Sequence, residues 1–252
     1  GFVQTGHVLK HDFLSYTPTH TWFDHEWGSG VIFYLTQHFF SSAGILLLQA
    51  TLVFLIFFTI IKIINLRGLK TTTAYNFLFY FVVFNSIIIN LNEPIRCQMF
   101  SFLLFTVFLY ILELARQCKN KPLFLLPFIM IIWNNLHGGC VAGIGLIIIY
   151  IAGEFLNRAP VKKYVFALIP TILVLMINPW GLSYVSFLAH AITMPRPEIK
   201  EWWGIFEPFY RYGVILFKVF AFSMIFTETI IVAKSIDTKS FSIKKMDKTK
   251  FL

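Results

Sequence analysis

The sequence is poor in charge. Asp, Glu, Lys and Arg make up 13% of its 252 residues against 57% hydrophobic residues, and the mean hydropathy is +0.72. Soluble domains keep about a quarter of their residues charged to hold their surface in water, so this composition excludes one. Cysteine is scarce too. Cys97, Cys118 and Cys140 form no CxxC pair and no metal-like spacing, so they say little about redox state. The seven histidines (His7, His11, His20, His25, His38, His137 and His190) include no i, i+4 pair on one apolar run, so a haem or metal protein finds no ligand set here. Also missing are a P-loop, a G-x-S-x-G elbow, an H-E-x-x-H helix and the Rossmann glycine pattern. No solenoid repeat or signal-peptide pattern is present, and the chain opens on Gly1 rather than Met.

What remains is grease. Several apolar runs reach the roughly 17–25 residues that a bilayer-spanning helix needs, and they lack the even alternation of a lipid-facing barrel strand. The expected fold is all-α: a polytopic bundle of about seven spans, at about 43–64, 74–91, 99–115, 123–135, 141–153, 164–177 and 213–233. Residues 1–42 read as an outer-face loop with an amphipathic interfacial helix from "HEWGSGVIFYLTQHFF". Residues 43–233 form the bundle, and 234–252 a basic tail.

Net charge is +9, but the cations sit in short clusters between apolar runs, the pattern of cytoplasmic loops rather than of a nucleic-acid surface. The connections near 62–70, 116–121 and 158–163 carry three Lys or Arg each and the tail carries six, whereas the alternate connections are cation-poor. This alternation puts the tail in the cytoplasm and the N-terminal segment outside. An outer, hydrophilic N-terminus needs a preceding span to deliver it, so a first helix is expected upstream of Gly1.

The same count sorts the chemistry. All seven histidines, together with Asp12, Asp24, Glu26, Glu93, Glu198, Glu201 and Glu207, fall on or near the outer side. In "HDFLSYTPTHTWFDHEW", Asp12 sits before a Ser/Thr/Pro-rich turn, where a carboxylate can face a cavity and stay ionised. Asp24 and Glu26 resemble the paired carboxylates that hold a divalent cation through oxygen. Asp24 reads equally well as a helix N-cap, and Glu26 as an acid suited to the first-turn dipole.

"WNNLHGG", residues 133–139, lies between two apolar pieces too short to cross a bilayer upright. Its turn is therefore expected inside the protein, where irregular backbone survives only if buried or lining a cavity. That makes Asn134, Asn135 and His137 polar groups at depth, with His137 a site candidate. The bland alternative is a plain hairpin whose His satisfies a helix end. Arg96, in "NEPIRCQ", offers a planar fork to a phosphate or a partner to Glu93. Arg196 and Lys200, in "MPRPEIKEWWGIFEP", suit an anionic head group, while the aromatics there and in "INPWG" suit interface anchors.

The order of "HDFLSYTPTHTWFDHEWGS", "EPIRCQMFSF", "WNNLHGG", "INPWG" and "EWWGIFEP" resembles bacterial polytopic glycosyltransferases of the GT-C superfamily, over about residues 6–208. The resemblance implies an outer-face membrane enzyme of the bacterial inner membrane that takes a sugar from a polyprenyl-phosphate donor without a nucleotide. Asp12 corresponds best to the essential acid of the first outer loop, with Asp24 and Glu26 as the later pair. Arg96, Arg196 and Lys200 would hold the lipid phosphate, and Asn134 and His137 would line the pocket. No cofactor is specified, though a divalent metal is compatible. The chain departs from the superfamily in having fewer spans than usual and no first helix.

Two other readings stand beside it. A transporter or flippase component for an envelope lipid or polysaccharide would place charges along a path through several spans. Ionisable residues inside the expected spans are few, mainly Lys218 and Glu228. A membrane acyltransferase would use His137 but leave the acid-rich loop unexplained.

Overall fold

The computed structural model describes residues 3, 6–8, 23–68, 94–117, 119–194, 222 and 226. Among them all regular structure is helical, with no strand. Helix α1 spans Trp27–Leu66, α2 Gln98–Arg116, α3 Leu125–Leu136, α4 Val141–Leu156, α5 Lys162–Leu173 and α6 Leu182–Thr193. Short 3-10 turns precede α3 and α4 and follow α5.

Helix α1 joins two stretches that were expected as separate elements. Its backbone leaves helical geometry at Ser41 (φ 55°, ψ −159°), a left-handed conformation that a residue with a side chain adopts only under constraint. At about 1.5 Å per residue, an unbroken 40-residue helix would be about twice as long as the roughly 30 Å hydrocarbon core. The segment after Ser41 is long enough to cross by itself. With Gln98–Arg116 and Gly138–Leu156, α1 makes three described helices long and apolar enough to span a membrane. Phe39, Phe54, Phe128, Phe155, Phe166 and Leu182 are exposed on these and neighbouring helices. Water would not tolerate so much bare aromatic and aliphatic surface, whereas lipid does. The chain is a membrane protein.

The main core lies between α2, α3, α4 and α5, where Phe108, Leu112, Leu126, Met130, Trp133 and Ile147 are fully buried. Gly143 lets α4 approach: a Cβ there would lie 2.8 Å from the Trp133 ring. Helix α1 packs on α2 through a second apolar cluster, including Leu52, Val53, Met99 and Phe100.

Polar bonds gather at the two ends of this bundle. At one end Arg67, just past α1, grips Glu113 of α2 with two bonds (Nε to Oε2 3.1 Å, Nη2 to Oε1 2.8 Å). Tyr150 of α4 donates to the same carboxylate, Gln117 to Leu66 O, and Lys163 of α5 to Ala115 O. Glu113 is 1% exposed. This corrects the expectation that ionisable groups within the spans are confined mainly to Lys218 and Glu228, which lie outside the described residues: Glu113 and Glu154 are both buried inside helices. It also gives Arg67 a structural role beyond marking a loop. Removing one partner of a buried pair strands the other charge, at a cost of about 3–5 kcal/mol. Arg67 is partly exposed, so Arg67→Ala is expected at the lower end of that range. The double change Arg67→Met with Glu113→Leu should lie closer to wild type. Unfolding in detergent compares the two.

The expected spans at 74–91 and 213–233 lie outside the described residues. One described element was not anticipated. Residues 182–193, read as part of an outer loop, form α6, whose Tyr184 is fully buried and donates to Asn134 O at 3.3 Å.

Candidate functional site

The site lies at the other end of the bundle, where the chain entering α1 crosses the "NNLHGG" turn. The crossing is tight. A Cβ on Gly28 would sit 2.6 Å from Asn135 O, so only glycine fits without moving backbone. Trp27 Nε1 donates to Asn135 Oδ1 at 3.0 Å, and Ser29 Oγ donates to Leu136 O at 2.6 Å. His25 lies over Gly138, with Cδ2 3.2 Å from a Cβ built there. The Ser29 bond satisfies Leu136 O, the last carbonyl of α3, which the helix itself leaves without a partner.

The crossing brings Glu26 to His137. Glu26 occupies the N-cap position of α1, yet its side chain makes no capping bond. Its Oε1 instead lies 3.4 Å from His25 Nε2 and 3.6 Å from His137 Nε2. Asp24 is not the cap either. Its Oδ1 accepts from Glu26 N at 3.4 Å, and its carboxylate faces a cavity.

That cavity, about 410 Å³, is lined by Asp24, Glu26, Ser29 and Gly30 from the start of α1, and by Arg96, Cys97 and Gln98 from the start of α2. Two helix N-termini therefore open onto one space. The helix dipole makes such ends favourable to anions.

His137 is held from behind. Trp133 Nε1 donates to Ser101 Oγ at 2.7 Å, and Ser101 Oγ lies 2.7 Å from His137 Nδ1. Gly139 N–H also donates to His137 Nδ1, at 3.1 Å. An Nδ1 that accepts the Gly139 proton carries none itself, so neutral His137 keeps its proton on Nε2, toward Glu26. Gly139 must be glycine, because a Cβ there would sit 2.7 Å from His137 Nδ1 and 2.8 Å from Ser101 Oγ.

The electrostatics follow from these contacts. The His25 contact holds Glu26 down at about 2, against its own burial, so this carboxylate stays ionised. Burial works against a charged His25, but Glu26 outweighs it and raises the imidazole. Burial lowers His137, only partly offset by Glu26. Asp24 is raised by burial, against the backbone bond from Glu26. Burial pushes the Cys97 thiol up to about 12. An aromatic wall flanks the histidines: Phe187 of α6 stacks on Phe23 at 4.9 Å and meets His25 at 5.5 Å.

Of the residues expected at the site, the structure brings Asp24, Glu26, Arg96 and His137 to this end. Asn134 takes a different part. It is 1% exposed, its Nδ2 donates to Leu175 O at 3.0 Å, and it ties α3 to the turn after α5 rather than facing the cavity. Asn135 is similarly engaged, donating to Ile131 O and Ile177 O. Asp12, Arg196 and Lys200 lie outside the described residues. Sequence reading passed over Cys97, Gln98, Ser101 and His25 as site residues. Only the run "IRCQ" beside Arg96 carried a signal for the first two.

No protein-family model, curated protein or solved structure matches the chain.

Proposed function

We propose that the chain is a membrane glycosyltransferase of GT-C type within a polytopic bundle. It moves a sugar from a polyprenyl-phosphate donor to an acceptor on the outer face of a bacterial inner membrane. The observation that supports this reading is one cavity lined by both Asp24 and Arg96, at two helix N-termini. Transfer from a lipid phosphate requires a base for the acceptor proton and a positive field for the departing phosphate. Asp24 supplies the first. Arg96 and the amide ends of α1 and α2 supply the second, and the apolar helix faces accommodate the polyprenyl chain. Asp12 was the expected base; among the described acids, the position in the cavity favours Asp24. Glu26, held ionised by His25, orients His137 and the entry to α1 rather than taking a proton.

A transporter needs a polar route between the two ends of the bundle. On α2 the buried residues between Ser101 and Glu113 are Phe108, Ile111 and Leu112, all apolar. That favours transfer over transport.

A photoreactive polyprenyl-phosphate sugar tests the placement. Crosslinking to the full chain in proteoliposomes should label the segments containing residues 24–30 and 94–98, and Arg96→Ala should weaken labelling. Labelling confined to other segments would remove the cavity from this role.

A further inference from the structure

Glu26, Cys97 and His137 come from three separate helix ends: the N-cap of α1, the N-cap of α2 and the C-cap of α3. Each offers one atom of metal-ligating type, and these atoms all lie within 4.8 Å of one another. We infer that they form a site for a thiophilic divalent cation of the zinc class, with one coordination position open to the cavity. This inference does not rest on the glycosyltransferase reading.

Four observations carry it. The first is spacing. The three ligand atoms lie within 4.8 Å of one another and Glu26 Oε1 is 3.6 Å from His137 Nε2, so small side-chain shifts bring the set to the roughly 3.3–3.8 Å of a zinc tetrahedron. The second is donor chemistry: one sulfur, one imidazole nitrogen and one carboxylate oxygen select zinc over magnesium or calcium, which take oxygen. The third is the support behind the ligands. Metal-bound histidines hold their other ring nitrogen on a hydrogen-bond partner, and His137 Nδ1 lies 2.7 Å from Ser101 Oγ, itself fixed by Trp133. A serine oxygen has two lone pairs, so it can accept from both Trp133 and a protonated Nδ1. The fourth is access. Glu26 and Cys97 line the 410 Å³ cavity that Asp24 and Arg96 also line, so a fourth coordination position can open onto that space. Three ligands with an open position is the pattern of reactive rather than structural zinc.

Binding has a balanced proton count and a conformational signature. The Cys97 thiol releases its proton and coordinates as thiolate. With Glu26 ionised, the two ligand charges neutralise the dication. His137 must present the Nε2 lone pair, so its ring proton moves to Nδ1 and turns onto Ser101. The Gly139 N–H bond to Nδ1, at 3.1 Å, is then given up.

The test uses the full chain in detergent, stripped with a chelator and titrated with Co²⁺ and with Zn²⁺. Wild type should bind one metal per chain. The Co²⁺ form should show a thiolate-to-cobalt charge-transfer band in the near ultraviolet and the strong visible bands of a tetrahedral site. Cys97→Ser should remove the charge-transfer band and weaken Zn²⁺ binding more than tenfold. Glu26→Gln should weaken it while keeping the band. Cys140→Ala, at a buried cysteine outside the set, should change neither. Circular dichroism and gel-filtration profiles matching wild type qualify each variant, and Glu26→Gln serves if Cys97→Ser misfolds. Folded wild type without stoichiometric metal would overturn the site, as would a folded Cys97→Ser protein that keeps the charge-transfer band.

Discussion

Trp133→Ala is expected to lower the stability of the chain by about 3–5 kcal/mol, the range for emptying a fully buried large aromatic site. Trp133 is 0% exposed and packs edge-on to Phe108 at 5.3 Å. Helix α4 comes close to it at Gly143, so the hole opens where α2, α3 and α4 meet. The same change removes the donor that fixes Ser101 Oγ. Ser101 is then free to turn, and His137 Nδ1 is held by the Gly139 N–H alone. Reversible unfolding in mixed micelles gives the stability. The ¹⁵N shifts of the His137 ring report the second consequence, because the two tautomers differ strongly at both nitrogens. Trp133→Phe keeps most of the packing without the N–H. It should lose less stability yet free the ring to the same degree, which separates the two roles.

Asp24→Asn should lower sugar transfer by about 10²–10⁴-fold, the usual contribution of a positioned base. Asparagine keeps the shape, and its carbonyl oxygen can still accept the Glu26 N–H bond, so expression and helix content should hold. The loss should fall on kcat, since the proton moves only in the transition state. Arg96→Ala should differ by raising KM as well, because the phosphate is anionic before and after transfer. If Asp24→Asn retained full turnover, the base would lie elsewhere, and Asp12 would be the next acid to replace.

Much of this arrangement was legible in the sequence, and the limits have physical causes. Hydropathy located α2, α3, α4 and α5, because each needs an apolar surface of the right length. It expected "NNLHGG" inside the protein because both flanking pieces read as too short to cross, but the second is longer than expected: the 3-10 turn and α4 together, Gly138–Leu156, are long and apolar enough to span a membrane. Cation counting put Asp24, Glu26, Arg96 and His137 at one end, and the structure gathers them there. Helix α6 was missed, since prolines and glycine around "NPWG" and "MPRP" mask a twelve-residue apolar stretch. Glu113 was missed because a single acid near the end of a span reads as interfacial until its partner is seen. Arg67 lies 46 residues away, so no local spacing pairs them. The Glu26, Cys97 and His137 set was invisible for the same reason. A search for ligand pairs along one helix finds none when each ligand sits on a different helix end.

Asn134 shows the opposite error. It is buried within the protein, but its role is not the expected one, because a buried amide that satisfies Leu175 O serves packing as fully as another would serve substrate. Depth alone does not tell the two apart; the direction in which the amide points does.

The most direct test of transfer at this cavity is to reconstitute the full chain in liposomes with polyprenyl-phosphate carrying a radiolabelled sugar, and follow the label. The account predicts loss of label from the lipid, by transfer or by slow hydrolysis, with the lipid phosphate left behind and with Asp24→Asn strongly reduced. Movement of the intact lipid-linked sugar across the bilayer, with the sugar still attached and Asp24→Asn unaffected, would contradict it.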